Sequence, residues 1–203
     1  MRSDARAERP RPRATITALA LCFVLGPAAV IAAAEPIERI LAVVDGRPLM
    51  LSEVRLLERL RGLTPSAALE ALIDEALMFR EASRLPASLA TAEDTERAYA
   101  SLVQRLGEPA GVLEDGLKRL ARRETAIVKY LAFRFGPQVR VEDATVRAAY
   151  EAAQARQPEA PPFEDVAGEL RARLEREQLD LKVEAWVREL REGAEILYNP
   201  EPS

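Results

Sequence analysis

Apolar positions along the chain fall into two periods. From Ile40 to Val44 they are contiguous and partly β-branched, ILAVV, the pattern of a strand covered on both faces. From Glu53 onward they recur every third or fourth residue, the period of helices with one buried side. Asp45-Gly46 interrupts the first run. This pair tolerates the positive φ angles of a type I′ turn, so the chain reverses into a second short strand at Leu49 to Leu51. Pro48, which has no amide hydrogen, suits the start or edge of that strand. Ser52 is read as the N-cap of the next helix, with Glu53 near its positive end. A two-stranded hairpin is marginal in water and requires a third strand or a helix to cover it.

The helical period then punctuates the chain. Glu53 to Arg61 carries Val54, Leu56, Leu57 and Leu60 and stops at Gly62 and Pro65. Ser66 is read as a cap for Ala68 to Leu85, whose face is Leu69, Leu72, Ile73, Ala76, Leu77 and Phe79 or Arg80, ended by Pro86. Thr91, with Glu93 and Asp94 in the first turn, caps a third helix to Leu106. A fourth, from about Val112 to Phe135, has the stripe Leu113, Leu117, Leu120, Ile127, Leu131 and Phe135, with Tyr130 and Phe133 on another side. Gly136-Pro137 stops it, and a fifth helix begins at Glu142-Asp143 and runs to about Gln157. Phe163 to Glu192 reads as one helix roughly 45 Å long at the standard rise, a spine rather than an ordinary element. Glu169 with Arg173 and Glu184 with Arg188 are its expected outward pairs. Gly193 is expected in the left-handed capping position, and Ala194 to Tyr198 as a closing strand beside the hairpin. The expected fold class is therefore mainly α: a helical module with a small antiparallel sheet formed by the N-terminal hairpin and the C-terminal strand.

Composition changes this picture in four ways. Arg2, Arg6, Arg9, Arg11 and Arg13 precede the uncharged, mostly apolar stretch Ala14 to Ile31 and the small residues Ala32 to Ala34. That order is a signal peptide over 1–34, exporting the remainder; an uncleaved anchor facing the same compartment is the alternative. The only cysteine, Cys22, lies in this segment, so residues 35–203 carry no thiol to mispair in an oxidising compartment. That part holds 24 Lys and Arg against 31 Asp and Glu, a net charge of −7, which argues against nucleic acid as a partner. The chain has no histidine, which excludes Ser-His-Asp and Cys-His catalysis and the common zinc sites. No catalytic residue, metal ligand or cofactor site is assigned.

ILAVVDGRPLMLSEV followed by ALEALIDEALMFREASRL resembles the N-terminal domain of SurA and related periplasmic folding factors. The second string carries a LIDxxLxxxEA-like pattern at Leu72, Ile73, Asp74, Leu77, Glu81 and Ala82. VEDATVRAAYEAA resembles the link before the parvulin domain of such proteins, and residues 163–199 resemble their closing helix and strand. The resemblance implies one chaperone module over 35–203: hairpin and helices at 35–157, a Pro-rich link at 158–162, and the closing helix and strand at 163–203. Multidomain relatives carry a parvulin prolyl isomerase at that link. Here only about eight residues, Ala155 to Pro162, occupy the place.

What the resemblance implies is a periplasmic, ATP-independent chaperone that holds unfolded or partly folded polypeptides, outer-membrane protein precursors among them. Three alternatives stand beside it: a peptidyl-prolyl isomerase-like protein with residual activity, a homodimeric assembly adaptor that swaps its ends at the link, and a membrane-anchored version of the module. The client-binding candidates are Tyr99, Val103, Val112, Tyr130 and Phe133. For the last two, packing between helices is the competing and weightier reading. Trp186 and Phe163 are read as core. Lys118, Arg119, Arg122 and Arg123 are read as a solvated helix face, among Glu114, Asp115 and Glu124, rather than a binding patch.

Overall fold

A computed structural model describes residues 38–107, 113–156 and 161–199. The chain opens with strands β1 (Ile40–Val44) and β2 (Arg47–Met50), paired antiparallel. Between them Asp45 and Gly46 have φ of 47° and 78°, the two positive values that a type I′ turn demands. Four helices follow: α1 (Leu51–Arg61), α2 (Pro65–Ser83), α3 (Ala92–Leu106) and α4 (Glu114–Phe135). A 3₁₀ turn at Pro86–Ser88 links α2 to α3, and another at Gly136–Gln138 leads to α5 (Asp143–Gln154). The spine α6 (Phe163–Glu192) and strand β3 (Ile196–Tyr198) complete the described residues.

β3 lies antiparallel against β1, giving the order β2-β1-β3, with Val44 opposite Ile196 and Ala42 opposite Tyr198. The two ends of the chain thus close one sheet. Asp45 does more than turn the hairpin. Its N–H donates to the Glu195 carbonyl at 2.9 Å, and its Oδ1 accepts the Glu195 N–H at 3.0 Å, so the same residue pins the incoming strand. β1 departs from the expected burial on both faces. Ala42 and Val44 are buried, while Val43 between them is half-buried and Ile40 is exposed. Helix α2 packs on one side of the strand only, which leaves an alternating pattern.

Two helix starts differ from expectation. α1 begins a residue before Ser52, whose N–H donates instead to Glu38 Oε1 at 3.1 Å, while Glu53 accepts the Met50 N–H at 3.3 Å. α2 is capped by Thr64, whose Oγ1 accepts the Ala67 N–H at 3.3 Å, and not by Ser66. Pro65 explains the second difference: it opens the helix at its first position, where its missing N–H costs nothing. Gly193 also differs, with φ of −92° rather than a left-handed value. On α6 the Glu184–Arg188 pair forms at 3.7 Å, whereas Arg173 turns forward to Glu177 at 3.5 Å.

The main core lies between the sheet and α1 to α4, around Leu49, Val54, Leu57, Leu72, Ile73, Leu77, Leu102, Leu117 and Leu120. A smaller one, Val141, Val146 and Leu170, lies between α5 and α6, where Tyr150 meets Phe163 edge-on at 5.4 Å. α6 touches both clusters, as a spine must. Arg123 corrects the solvated-face reading of α4. It is 4 % exposed, and its Nε and a terminal N–H donate to Glu75 at 3.0 Å and to Glu53 at 3.1 Å. Among the described residues no helix is long and apolar enough to cross a membrane. The expected signal segment 1–34 lies outside them, as does most of the link at 158–162.

The Thr91 cap is present as read, and it carries a pH dependence. Asp94 accepts from Lys129 Nζ at 2.5 Å and from the Thr91 hydroxyl and N–H at 2.8 and 3.2 Å. The bond from Lys129, then those from Thr91, hold its carboxyl well below the usual carboxylate range. A depressed carboxylate stabilises the fold above its unfolded value, about pH 4, and loses that contribution as the pH falls further. Asp94→Asn is therefore expected to lower the melting temperature at pH 7. The gap to the parent protein should narrow steadily once the pH drops below about 4, as a pH series of thermal melts reads directly.

Candidate functional site

Helices α3 and α4 run against each other and bring Tyr99, Val103 and Phe133, but not Tyr130, toward one side of α4. Tyr99 and Val103 sit one turn apart on α3, both half-buried against the main core. The Lys118 ammonium lies 5.4 Å from the centre of the Tyr99 ring. On α4 the positions Lys118, Arg122, Ala126, Lys129 and Phe133 follow one another at helical spacing. They cover roughly 22 Å of helix.

An open groove of about 470 Å³ lies along the first half of this stripe. Phe79 from α2 and Leu89 and Ala90 from the α2–α3 link form one wall, Ala92, Thr95 and Glu96 from α3 another, and Lys118, Arg122 and Ala126 the α4 side. Its chemistry is apolar at the bottom, where Ala126 and Thr95 are buried, and charged at the rim. Leu89 stands half-exposed at its edge, and its carbonyl accepts from Lys129 at 3.4 Å. One turn beyond Lys129, Phe133 projects into solvent with 65 % of its surface exposed. A residue of that size pays a hydration cost that a partner would relieve.

Tyr130 and Phe133 therefore part company. The Tyr130 ring stacks on Trp186 of α6 at 5.4 Å, and Phe135 meets the same indole edge-on at 5.8 Å. The Arg134 guanidinium covers it at 5.3 Å. That cluster holds α4 to α6, so Tyr130 has a packing role. Val112 lies outside the described residues. Tyr99 and Val103 stand near one end of the α4 stripe and Phe133 at the other. Phe79 and Leu89 are lining residues that the sequence reading missed, while Arg122, read as part of a solvated helix face rather than a binding patch, is exposed as expected and stands in the groove wall. Leu89 had a signal, a large apolar residue in a short link. Phe79 had none beyond its helical phase.

A second cavity, also about 470 Å³, lies between α5 and α6, beside Tyr150, Pro161, Val166 and Leu170. No group of three or more Asp, Glu, Cys or His among the described residues is placed to hold a metal ion. The α3–α4 surface offers apolar contact beside a charged rim, a combination suited to binding. Comparison with protein-family models, with curated proteins and with solved structures finds no match to this chain.

Proposed function

We propose that this chain is an ATP-independent holdase of the SurA-like type, without an isomerase site, that keeps unfolded polypeptides such as outer-membrane precursors from aggregating in the periplasm. The observation that carries this reading is the continuous α4 surface, an apolar-floored groove that leads to the exposed Phe133. Two sequence features support it: the resemblance of both chain ends to that family, and the basic-then-apolar segment at 1–34, which suits export. The meeting of those ends in one sheet is what such a module needs to be a single folding unit.

The physics asks little of the site. A groove of this volume accepts one or two client side chains, and an affinity near micromolar, about 8 kcal/mol, permits release without an energy source. The test uses protein purified from cells expressing the full chain, added to an unfolded outer-membrane protein diluted from denaturant, with a prolyl-isomerisation assay on the same sample. Suppression of aggregation at near-stoichiometric ratio without isomerisation is the expected result. Absence of suppression by well-folded protein overturns the reading, and turnover of a prolyl peptide would favour an isomerase-like one. Phe133→Ser is expected to weaken suppression several-fold while changing stability by less than about 0.5 kcal/mol, as befits an exposed side chain. A Phe133→Ser protein that melts normally and protects clients as well as its parent would remove Phe133 from the surface.

A further inference from the structure

We propose that the α3–α4 groove selects extended client segments in which apolar residues flank an aspartate or glutamate, with Arg122 as the specificity-determining residue. This rests on the holdase reading and names the class of segment that the surface prefers. Three ionised side chains line the groove: Lys118, Arg122 and Glu96. Lys118 is already engaged, bonded to Glu114 Oε1 at 2.7 Å and facing the field of Glu96, both of which favour its charged form. Arg122 differs. Among the described residues no carboxylate lies within ion-pair distance of it, and its side chain is exposed.

Two other arginines of α4 are placed differently. Arg123, one residue on, is buried between Glu53 and Glu75, and Arg134 lies over the Trp186 and Phe135 rings. The groove thus has an apolar floor beneath one uncompensated guanidinium, in a chain whose net charge is −4. An acidic protein repels acidic clients in general, so an unengaged guanidinium in the groove wall fixes where and how an acidic segment is accepted. The planar guanidinium binds a carboxylate through two parallel N–H donors, while flanking apolar side chains reach Phe79, Leu89 and Ala126 below.

The experiment measures binding of short fluorescent peptides, acetylated and amidated so that their ends are neutral, with a central Glu, Gln or Lys between leucines and phenylalanines. Protein purified from cells expressing the full chain should bind the Glu peptide about three- to fivefold more tightly than the Gln peptide, the scale of one exposed charge pair. The Lys peptide should bind more weakly than either. Arg122→Gln should level the Glu and Gln peptides, and Arg122→Glu should reverse the Glu–Lys order; both positions are on an exposed side chain, so folding is preserved. Equal binding of all three peptides, or a preference for Glu that survives Arg122→Glu, overturns the inference. A Gln peptide with a free C-terminal carboxylate that matches the amidated Glu peptide overturns the assignment to a side-chain carboxylate. The aggregation assay separates the two levels. Clients protected but charge ignored means that only the selectivity fails, whereas clients unprotected and no peptide bound means that the holdase reading fails with it.

Discussion

Arg123→Ala is expected to lower the stability of the protein by about 3 kcal/mol, the low end for breaking a buried ion pair. The reason is the network that Arg123 closes. Its two bonds reach Glu53 on α1 and Glu75 on α2, and Glu75 also accepts from Arg61, which in turn donates to Glu124 on α4 at 2.7 Å. Five charged residues therefore tie three helices together, and two of them, Glu75 and Arg123, are almost fully buried. Removing the arginine leaves the Glu75 carboxylate desolvated with Arg61 alone to balance it. Arg61 remains in place and Glu53 keeps its bond from Met50, which is why the low end applies. For a domain of this size the loss corresponds to a fall of roughly 6–12 °C in melting temperature. A second variant separates charge from packing: Glu75→Leu with Arg123→Met should recover much of the loss, because apolar replacement of both partners removes the desolvation penalty. Thermal and denaturant melts followed by helical circular dichroism check both. A single variant costing less than about 1 kcal/mol would mean that the pair contributes no more than a surface contact.

Trp186→Ala should cost at least as much, about 3–5 kcal/mol, the range for deleting a large aromatic from a core. Trp186 is 6 % exposed and is the residue through which α6 holds the C-terminal half of α4, by stacking on Tyr130, edge contact with Phe135 and the cover of Arg134. The last turn of the same end is held differently, by Arg191 bonded to Glu70 at 2.8 Å and to Asp74 on α2, with Leu190 packed on the main core. Loss of the indole leaves those contacts to hold the helix end. Trp186→Phe should recover more than half of the loss, since a ring remains between Tyr130 and Phe135. As the sole tryptophan, Trp186 also reports its own docking: its emission should shift to the red in the same transition that melts the helices. A transition in fluorescence well below the helical melt would show α6 leaving α4 before the main core opens. The same packing decides how client-binding variants are interpreted. A Tyr130 variant confounds surface with core, whereas Phe133 and Arg122 change the surface alone.

Local forces account for what was legible in the chain. The Asp45-Gly46 turn depends on two residues that tolerate positive φ, the Thr91 cap on a hydroxyl three residues from an acid, and the span Phe163–Glu192 on an unbroken helical period between Pro162 and Gly193. Even the closing strand was readable, because a lone hairpin needs a partner and Ile196–Tyr198 was the remaining β-rich piece. Where two local signals competed, the reading failed. Ser66 and Thr64 are both capping residues, and only the tolerance of Pro65 for the first helical position decided between them.

The sequence by itself therefore determined the element order, the helical class and the return of the last strand to the first hairpin, since each follows from residues near one another in the chain or from the need to cover an exposed sheet. Tertiary structure alone decided which charges are buried and which apolar residues are left out. Arg122 and Arg123 are neighbours of the same type, and no pattern names the partners of either. One meets carboxylates 48 and 70 residues away and is buried with them, and the other meets none among the described residues and lines an open groove. Tyr130 and Phe133, both off the stripe in the sequence, divide in the same way, one against Trp186 and one in solvent. The cost of burying a charge or exposing a ring is set by what stands opposite it, and that is a property of the folded chain.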